Sequence, residues 1–244
     1  MNGARSSVVE LRQYTLHDGK RDVLIDLFER EFVESQEATG MELMGQFRDV
    51  DAADRFVWLR GFPDMHQREA ALRAFYGGPI WAAHRDSANA TMIDSSDVLL
   101  LRPVDERSGF PAPTASRSPI GHTEAPSSLA VATIYHRDRP FDQEFADFFT
   151  HQVRPVLAET GATPLACLQT EHAENTYPAL PVRTGENVFV WFARFADQAD
   201  LTAHLRRLEH SRAWHEQVLP HLSATITGEP QRLTLTPTAR SLLR

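Results

Sequence analysis

The chain has 244 residues, of which 42% are hydrophobic and 24% are charged, and this composition is typical of a globular protein with one large domain or two ordinary ones. Its net charge of -8 makes nucleic acids and anionic membranes unfavourable partners. The single cysteine, Cys167, excludes an intramolecular disulfide and any site built on a CxxC pair.

The apolar segments of the sequence are short. The first ten residues lack the apolar core of a signal peptide. No later run approaches the roughly 20 apolar residues that a membrane helix needs. We therefore expect a cytoplasmic protein that has no membrane partner.

The first hundred residues predict the order β-α-β-β-α-β. Apolar residues at helical spacing predict one helix from about Gly19 and another from about Met65. Gly40 is typical of a helix end, and Pro79 is typical of the first turn of a further short helix. The predicted strands cover residues 8–14, 41–47, 56–62 and 98–101.

A proline-rich segment divides the chain into two parts of similar length. Residues 103–128 contain five prolines and no apolar periodicity, which predicts an extended, solvated linker. We accordingly divide the chain into a domain at 1–104, a linker at 105–128 and a second domain at 129–244.

The second part repeats the spacings of the first. The 26 residues that separate Tyr14 from Gly40 also separate Tyr135 from Gly161. A spacing of 23 residues likewise recurs in two pairs of tryptophans, Trp58 with Trp81 and Trp191 with Trp214. These matches predict a tandem duplication. The strands of the second part are predicted near 129–135, 163–169, 188–195 and 231–236.

We predict an α+β fold in which two ferredoxin-like βαββαβ units close into one intramolecular α/β barrel. A four-stranded sheet with helices on one side leaves roughly 400 Å² bare on the other, which is as large an apolar patch as most soluble monomers expose. The second unit would cover that bare face. We expect aliphatic residues such as Val57 and Leu59 to face the helices. The alternate, charged and aromatic residues are expected to line a cavity in the shared barrel interior.

Three segments of the first part resemble the NIPSNAP family. They are the motif Glu10-Leu11-Arg12-x-Tyr14-x-Leu16, residues 40–47, and the stretch from Arg68 to Trp81. The resemblance covers about residues 8–104 and, more weakly, residues 129–236. It implies the dimeric α/β-barrel superfamily, which includes cofactor-independent monooxygenases, haem-degrading enzymes and small stress-response proteins. The family resemblance implies no particular reaction.

The candidate site consists of side chains predicted to line the barrel interior. We expect Arg12 to bind an anionic or carbonyl group, Tyr14 to donate to a bound oxygen, and His84 to act as a general base. The predicted ligand-binding residues are Glu10, Trp58, Arg60, Tyr135, Trp191 and His215. Structural roles are the alternative, because Glu10 and Arg12 can form an ion pair at the rim and aromatic side chains can simply fill the core.

The second part departs from the first at two of these positions. Val131 and Thr133 stand where the first part has Glu10 and Arg12. We therefore expect the two ends of the cavity to differ in chemistry.

The histidines predict no metal site. His215 and Glu216 open like the H-E-x-x-H zinc motif, but position 219 is Leu, and the other histidines are scattered. We expect no cofactor, with haem held by a single histidine as a weaker alternative.

The second part carries an insertion within residues 170–187, between its second and third strands. It predicts either a lid over a mouth of the barrel or a surface insertion, since such insertions cost little free energy.

For function, two main alternatives remain. The protein is an enzyme that oxygenates, isomerises or cyclises a small hydrophobic or aromatic compound, or it is a non-catalytic binding or scaffolding protein. Either a monomer or a homodimer is compatible with the sequence.

Overall fold

The eight predicted strands are all present in the computed structural model, which describes residues 6–244. The predicted ends agree with the structure to within two residues, except that the fourth strand begins six residues earlier than predicted and the sixth begins three residues later. The first half contains β1 (Val8–Leu16), β2 (Glu42–Asp49), β3 (Arg55–Phe62) and β4 (Met92–Pro103). The second half contains β5 (Leu129–His136), β6 (Ala166–Thr170), β7 (Val188–Phe195) and β8 (Gln231–Pro237).

Helices occupy equivalent places in the two halves. In the first half they are α1 (Arg21–Leu27), α2 (Val33–Glu37), α3 (Met65–Tyr76) and α4 (Pro79–Asn89). In the second half they are α5 (Gln143–Phe148), α6 (Arg154–Thr160), α7 (Gln198–Glu209) and α8 (Leu219–Thr225). A π-helical turn joins α1 to α2 at Phe28–Phe32, and another joins α5 to α6 at Phe149–Val153. Among residues 6–244, no helix combines the length and apolar character needed to cross a bilayer.

The strands form one closed antiparallel barrel with the order β1-β3-β2-β8-β5-β7-β6-β4. Each half contributes four adjacent strands in the same ferredoxin-like order. The halves join at two seams, where β2 pairs with β8 and β4 pairs with β6. The predicted fold is therefore confirmed.

The barrel interior is filled by apolar side chains from both halves, and most of them are aliphatic. Those exposed by no more than 1% include Val9, Leu11, Val57, Leu59, Leu99, Ala132, Ile134, Val190, Phe192 and Leu235. The prediction of which side of each strand faces inward is thus wrong. Tyr14 and Trp58 instead pack with the helices of the first half, and Tyr135 and Trp191 pack with those of the second.

The physical reason lies in the width of the barrel. Eight strands enclose a space that side chains alone can fill, and medium-sized aliphatic side chains fill it without leaving polar atoms unpaired. Large aromatic and charged side chains need more room and more hydrogen-bond partners. The helix layer on the outside of the sheet provides both.

The linker is irregular, as predicted, but it is docked rather than freely solvated. Arg117 donates to the carboxylate of Glu37 at 2.6 Å and to the main-chain oxygen of Leu43 at 2.7 Å. Phe110 packs on Phe192 with 4.9 Å between ring centroids, against the aliphatic interior of the barrel. The linker therefore contributes to the fold that it connects.

The inward orientation of the aliphatic side can be tested with Leu59→Ala. Leu59 is fully buried in the barrel interior, so we expect the free energy of unfolding to fall by about 2–5 kcal/mol in urea denaturation. Ile93→Ala is the control, because Ile93 is 61% exposed and its loss should change stability by less than about 0.5 kcal/mol. Similar, small losses in both variants would contradict the assignment.

Candidate functional site

A buried carboxylate on β1 binds three guanidinium groups. Glu10 Oε2 lies 2.7 Å from Arg12 Nη1 and 2.7 Å from Arg60 Nε, and Glu10 Oε1 lies 2.6 Å from Arg68 Nε. All four residues have 0% relative exposure. We call this group the Glu10–arginine cluster. It lies on the outer face of the sheet, beneath the helices of the first half.

Neutral oxygens supply further partners of the arginines. Arg12 Nε donates to Tyr14 Oη at 3.0 Å, and Arg60 Nη1 donates to Gln36 Oε1 of α2 at 3.1 Å. The guanidinium carbons of Arg12 and Arg60 lie 5.4 Å and 5.0 Å from the ring centroid of Trp58. The structure thus brings together five predicted site residues, although not inside the barrel.

The insertion between β6 and β7 covers this cluster. Arg68 Nη1 donates to Asn175 Oδ1 at 3.0 Å and to Thr176 Oγ1 at 3.3 Å. Tyr177 stacks on Tyr76 with 6.1 Å between ring centroids. We call residues 171–183 the cover segment. It comes from the second half but lies over the helix–sheet cleft of the first half.

The cluster has a surplus of positive charge. Burial alone would raise the pKa of Glu10, but the charges of Arg60, Arg12 and Arg68 hold that pKa well below its ordinary value. One carboxylate therefore neutralises one of three guanidinium charges. The oxygens of Tyr14, Gln36, Asn175 and Thr176 contribute no negative charge, because Tyr14 keeps its proton: burial raises its pKa.

Three buried donors near the cluster have no hydrogen-bond partner among residues 6–244. They are Arg12 Nη2, Arg68 Nη2 and Trp58 Nε1. Buried polar atoms are rarely left unpaired, and each such atom calls for an explanation. Because Arg12 occupies the hydroxyl oxygen of Tyr14, the indole N–H of Trp58 lacks the partner that its counterpart in the second half has.

The equivalent cleft of the second half has the opposite character. At the positions of Glu10, Arg12, Arg60 and Arg68, it carries Val131, Thr133, Ala193 and Leu201. Arg68 corresponds to Leu201 because each stands four residues after the aspartate that caps its helix. These capping residues are Asp64 and Asp197. Four charged side chains are thus replaced by smaller or apolar ones.

The replacement leaves an open pocket of about 550 Å³ between the sheet and helices α7 and α8. We call it the C-terminal pocket. Most of the residues that line it are apolar or aromatic, and the lining includes Val131, Thr133, Tyr135, Leu157, Trp191, Phe195, Leu201, His204, Leu205, Leu208, Trp214 and Leu222. Arg232 and Glu229 are the charged residues among those that line it.

Two polar groups in this pocket have defined protonation. Tyr135 Oη accepts a hydrogen bond from Trp191 Nε1 at 3.1 Å, and burial raises the pKa of Tyr135 to about 12, so the phenol is neutral. His204 Nδ1 lies 3.2 Å from the main-chain oxygen of Thr160, which can only accept. Burial also lowers the pKa of His204, and the neutral ring therefore carries its proton on Nδ1 and leaves Nε2 as an acceptor.

The two predicted histidines belong neither to the Glu10–arginine cluster nor to the residues that line the C-terminal pocket. His84 is half-buried on α4 with Nε2 3.6 Å from Glu31 Oε2. His215 is exposed, with Nε2 2.7 Å from the main-chain oxygen of Glu209. Within residues 6–244, no group of three or more His, Cys, Asp and Glu side chains is placed to hold a metal ion.

Sequence reasoning missed Arg68 and His204. Both stand on the apolar stripe of a helix: Arg68 aligns with Leu72 and Phe75, and His204 aligns with Leu201 and Leu208. A polar residue on such a stripe is buried with its neighbours. This periodicity was available in the sequence and would have identified both residues.

Glu10→Gln tests the charge balance of the cluster. Loss of the carboxylate leaves three buried guanidinium groups without a counter-charge, so we expect the free energy of unfolding at pH 7 to fall by about 3–5 kcal/mol in urea denaturation. Glu124→Gln, which alters an exposed linker residue, should leave it unchanged. A Glu10→Gln protein as stable as wild type would show that the cluster does not depend on its carboxylate.

The depressed pKa of Glu10 also predicts an acid dependence. The stabilisation is fully present above the unfolded-state pKa of about 4.3 and is lost as the pH falls towards the lower folded-state pKa, because the unfolded chain binds the proton first. The midpoint temperature of thermal unfolding, measured between pH 7 and pH 3, should therefore fall less steeply with decreasing pH for Glu10→Gln than for wild type. If the midpoint temperature fell equally steeply for both proteins, the lowered pKa of Glu10 would be contradicted.

Known proteins share this fold. The family model described as NIPSNAP matches residues 9–106. No curated protein matches the sequence significantly. A proposed monooxygenase from Fusobacterium nucleatum is 9% identical, with a TM-score of 0.54 over 96% of this chain and 93% of that one. A proposed monooxygenase from Lactobacillus acidophilus is 12% identical, with a TM-score of 0.53 over 95% and 94%.

An anthrone oxidase-like protein is also similar, with 12% identity and a TM-score of 0.54 over 97% of this chain and 92% of that one. At these identities the similarity shows a common fold, and it extends over both halves. The family match is confined to the first half. Residues 9–106 are therefore similar to the NIPSNAP family.

Proposed function

We propose that the C-terminal pocket binds and transforms a small aromatic molecule that carries an oxygen substituent. One observation carries the proposal: the same helix–sheet cleft is filled with charged side chains in the first half and is open in the second. The fold does not require an open cleft, since the first half fills its own.

The pocket suits such a ligand in size and surface. Its volume of about 550 Å³ falls in the range of small-molecule sites, which are mostly apolar with a few polar groups that fix orientation. Trp191 and Trp214 offer flat faces for an aromatic ring. The hydroxyl of Tyr135 already accepts from Trp191, so its own proton is left for an acceptor on the ligand.

These groups support proton transfer on an oxygenated ring. A neutral Tyr135 donates a hydrogen bond to the ligand oxygen and stabilises negative charge that develops there. His204, neutral with Nε2 unprotonated, accepts a proton from the ligand. Together they would convert a ketone or phenol into its enolate or phenolate.

Isomerisation and cyclisation can begin from such an anion, and so can oxygenation when molecular oxygen is the co-substrate and oxidant. This reaction class, without a tightly held cofactor, is therefore part of the proposal. The shared fold with proposed monooxygenases and an anthrone oxidase-like protein supports it. We assign the catalytic role to Tyr135 and His204 rather than to Arg12 and Tyr14, because Arg12 and Tyr14 bind each other beneath the helices of the first half.

Tyr135→Phe tests the anchor when two probes are compared by tryptophan fluorescence titration. We expect 1-naphthol to bind about tenfold more weakly to Tyr135→Phe than to wild type, because one hydrogen bond to its oxygen is lost. Naphthalene, which has no oxygen, should bind both proteins equally. Thr133→Met, which places bulk on the pocket wall, should weaken both probes.

Tyr76→Phe is the matched control, since it removes a tyrosine hydroxyl from the first half and should leave both affinities unchanged. The proposal fails if wild type binds neither probe. It also fails if Tyr135→Phe weakens naphthalene as much as 1-naphthol, or if Thr133→Met has no effect.

A further inference from the structure

We propose that the Glu10–arginine cluster is a second binding site, which takes an aromatic carboxylate when the cover segment moves aside. Its ligand differs in charge from that of the C-terminal pocket. The inference is independent of the function proposed for that pocket.

The first step is the charge surplus. Arg12, Arg60 and Arg68 place three positive charges beside the single negative charge of Glu10, with side chains exposed by no more than 1%. Buried charges are costly unless an opposite charge meets them. The second half fills the equivalent positions with Val131, Thr133, Ala193 and Leu201, so the fold is stable without these charges. Their presence in the first half therefore points to a ligand rather than to folding.

The second step is the set of unpaired donors. Arg12 Nη2, Arg68 Nη2 and Trp58 Nε1 are buried and find no partner in the part of the chain that the structure describes, and they belong to one neighbourhood. Arg12 lies 5.4 Å from the Trp58 ring centroid, and Arg12 and Arg68 both bind the carboxylate of Glu10. A carboxylate offers two oxygens with about four lone-pair sites, which matches several N–H donors at once.

The third step is the cover segment. Its contacts with Arg68 are made by neutral oxygens of Asn175 and Thr176, which take acceptor positions that a charged oxygen would fill more strongly. Asn175 also orders the segment, since its side chain accepts from the Tyr177 N–H and donates to the Leu180 oxygen. Withdrawal of this segment uncovers Arg68 and leaves its donors free.

The surroundings favour a flat carboxylate over an inorganic oxyanion. The planar guanidinium groups pair with a planar carboxylate in a bidentate manner, and the aromatic ring of Trp58 adjoins two of them. A benzene ring joined to the carboxylate would lie against these aromatic neighbours. Benzoate is therefore the probe, and benzamide is its neutral counterpart of the same shape.

The experiment is calorimetric titration of the whole protein with sodium benzoate, benzamide and sodium phosphate at constant ionic strength. We expect one benzoate to bind per chain, at least tenfold more tightly than benzamide or phosphate. Excess 1-naphthol should not displace benzoate, because it occupies the other cleft. This competition separates failure of the present inference from failure of the function proposed for the C-terminal pocket.

Two variants complete the test. Arg68→Leu places at this position the residue that the second half has at 201, and it should weaken benzoate at least tenfold, whereas Arg212→Leu, at a side chain that is 86% exposed, should not. Asn175→Ala loosens the cover segment, and it should tighten benzoate several-fold because more of the protein is open.

The inference is overturned if benzoate binds wild type no better than benzamide, or if phosphate binds more tightly than benzoate. It is also overturned if folded Arg68→Leu keeps the wild-type affinity, or if Asn175→Ala binds benzoate no more tightly than wild type.

Discussion

The inner face of the eight strands is occupied mainly by apolar side chains that pack without water, and this constraint determines where most of the large aromatic and charged side chains lie. Leu11, Leu59 and Ile134, for example, are fully buried in that space. Because side chains alternate along a strand, every inward aliphatic residue turns its neighbours outward, beneath the helices. Large aromatic and charged side chains therefore collect in two clefts between sheet and helices, one in each half. The barrel acts as a rigid support for these clefts rather than as a container.

The two clefts share their framework and differ in content. Each has a tyrosine and a tryptophan at the same positions of its first and third strands, and each lies under a helix that an aspartate caps. In the first half the tyrosine accepts from Arg12, whereas in the second half it accepts from Trp191. That single exchange of donor follows from Thr133 standing where the first half has Arg12. A few substitutions on one framework thus produce a closed, charged cleft and an open, apolar one.

Periodicity and repeated spacings were sufficient to predict the strand order and barrel closure, because both follow from local patterns and from the need to cover a bare sheet face. The same patterns could not tell which face would be inside. Val57 and Trp58 point to opposite faces of the sheet whichever face lies inside. Which of them faces inward depends on the volume inside a closed barrel. Five site residues on β1 and β3 were identified correctly as neighbours, since they share a face of adjacent strands. Arg68 joins them only through the packing of α3, and the cover segment reaches them from more than 100 residues away in sequence, so neither could be derived from the spacing of β-strands.

The cover segment leaves the second half yet seals the first. Two identical subunits related by a twofold axis would each lend the other the same flap, and their clefts would have to remain alike. A single polypeptide is free of that symmetry, so one flap can close one cleft while its counterpart stays accessible. Covalent linkage thereby allows the two clefts to differ in accessibility. It also makes closure of the first-half cleft depend on the folding of the second half.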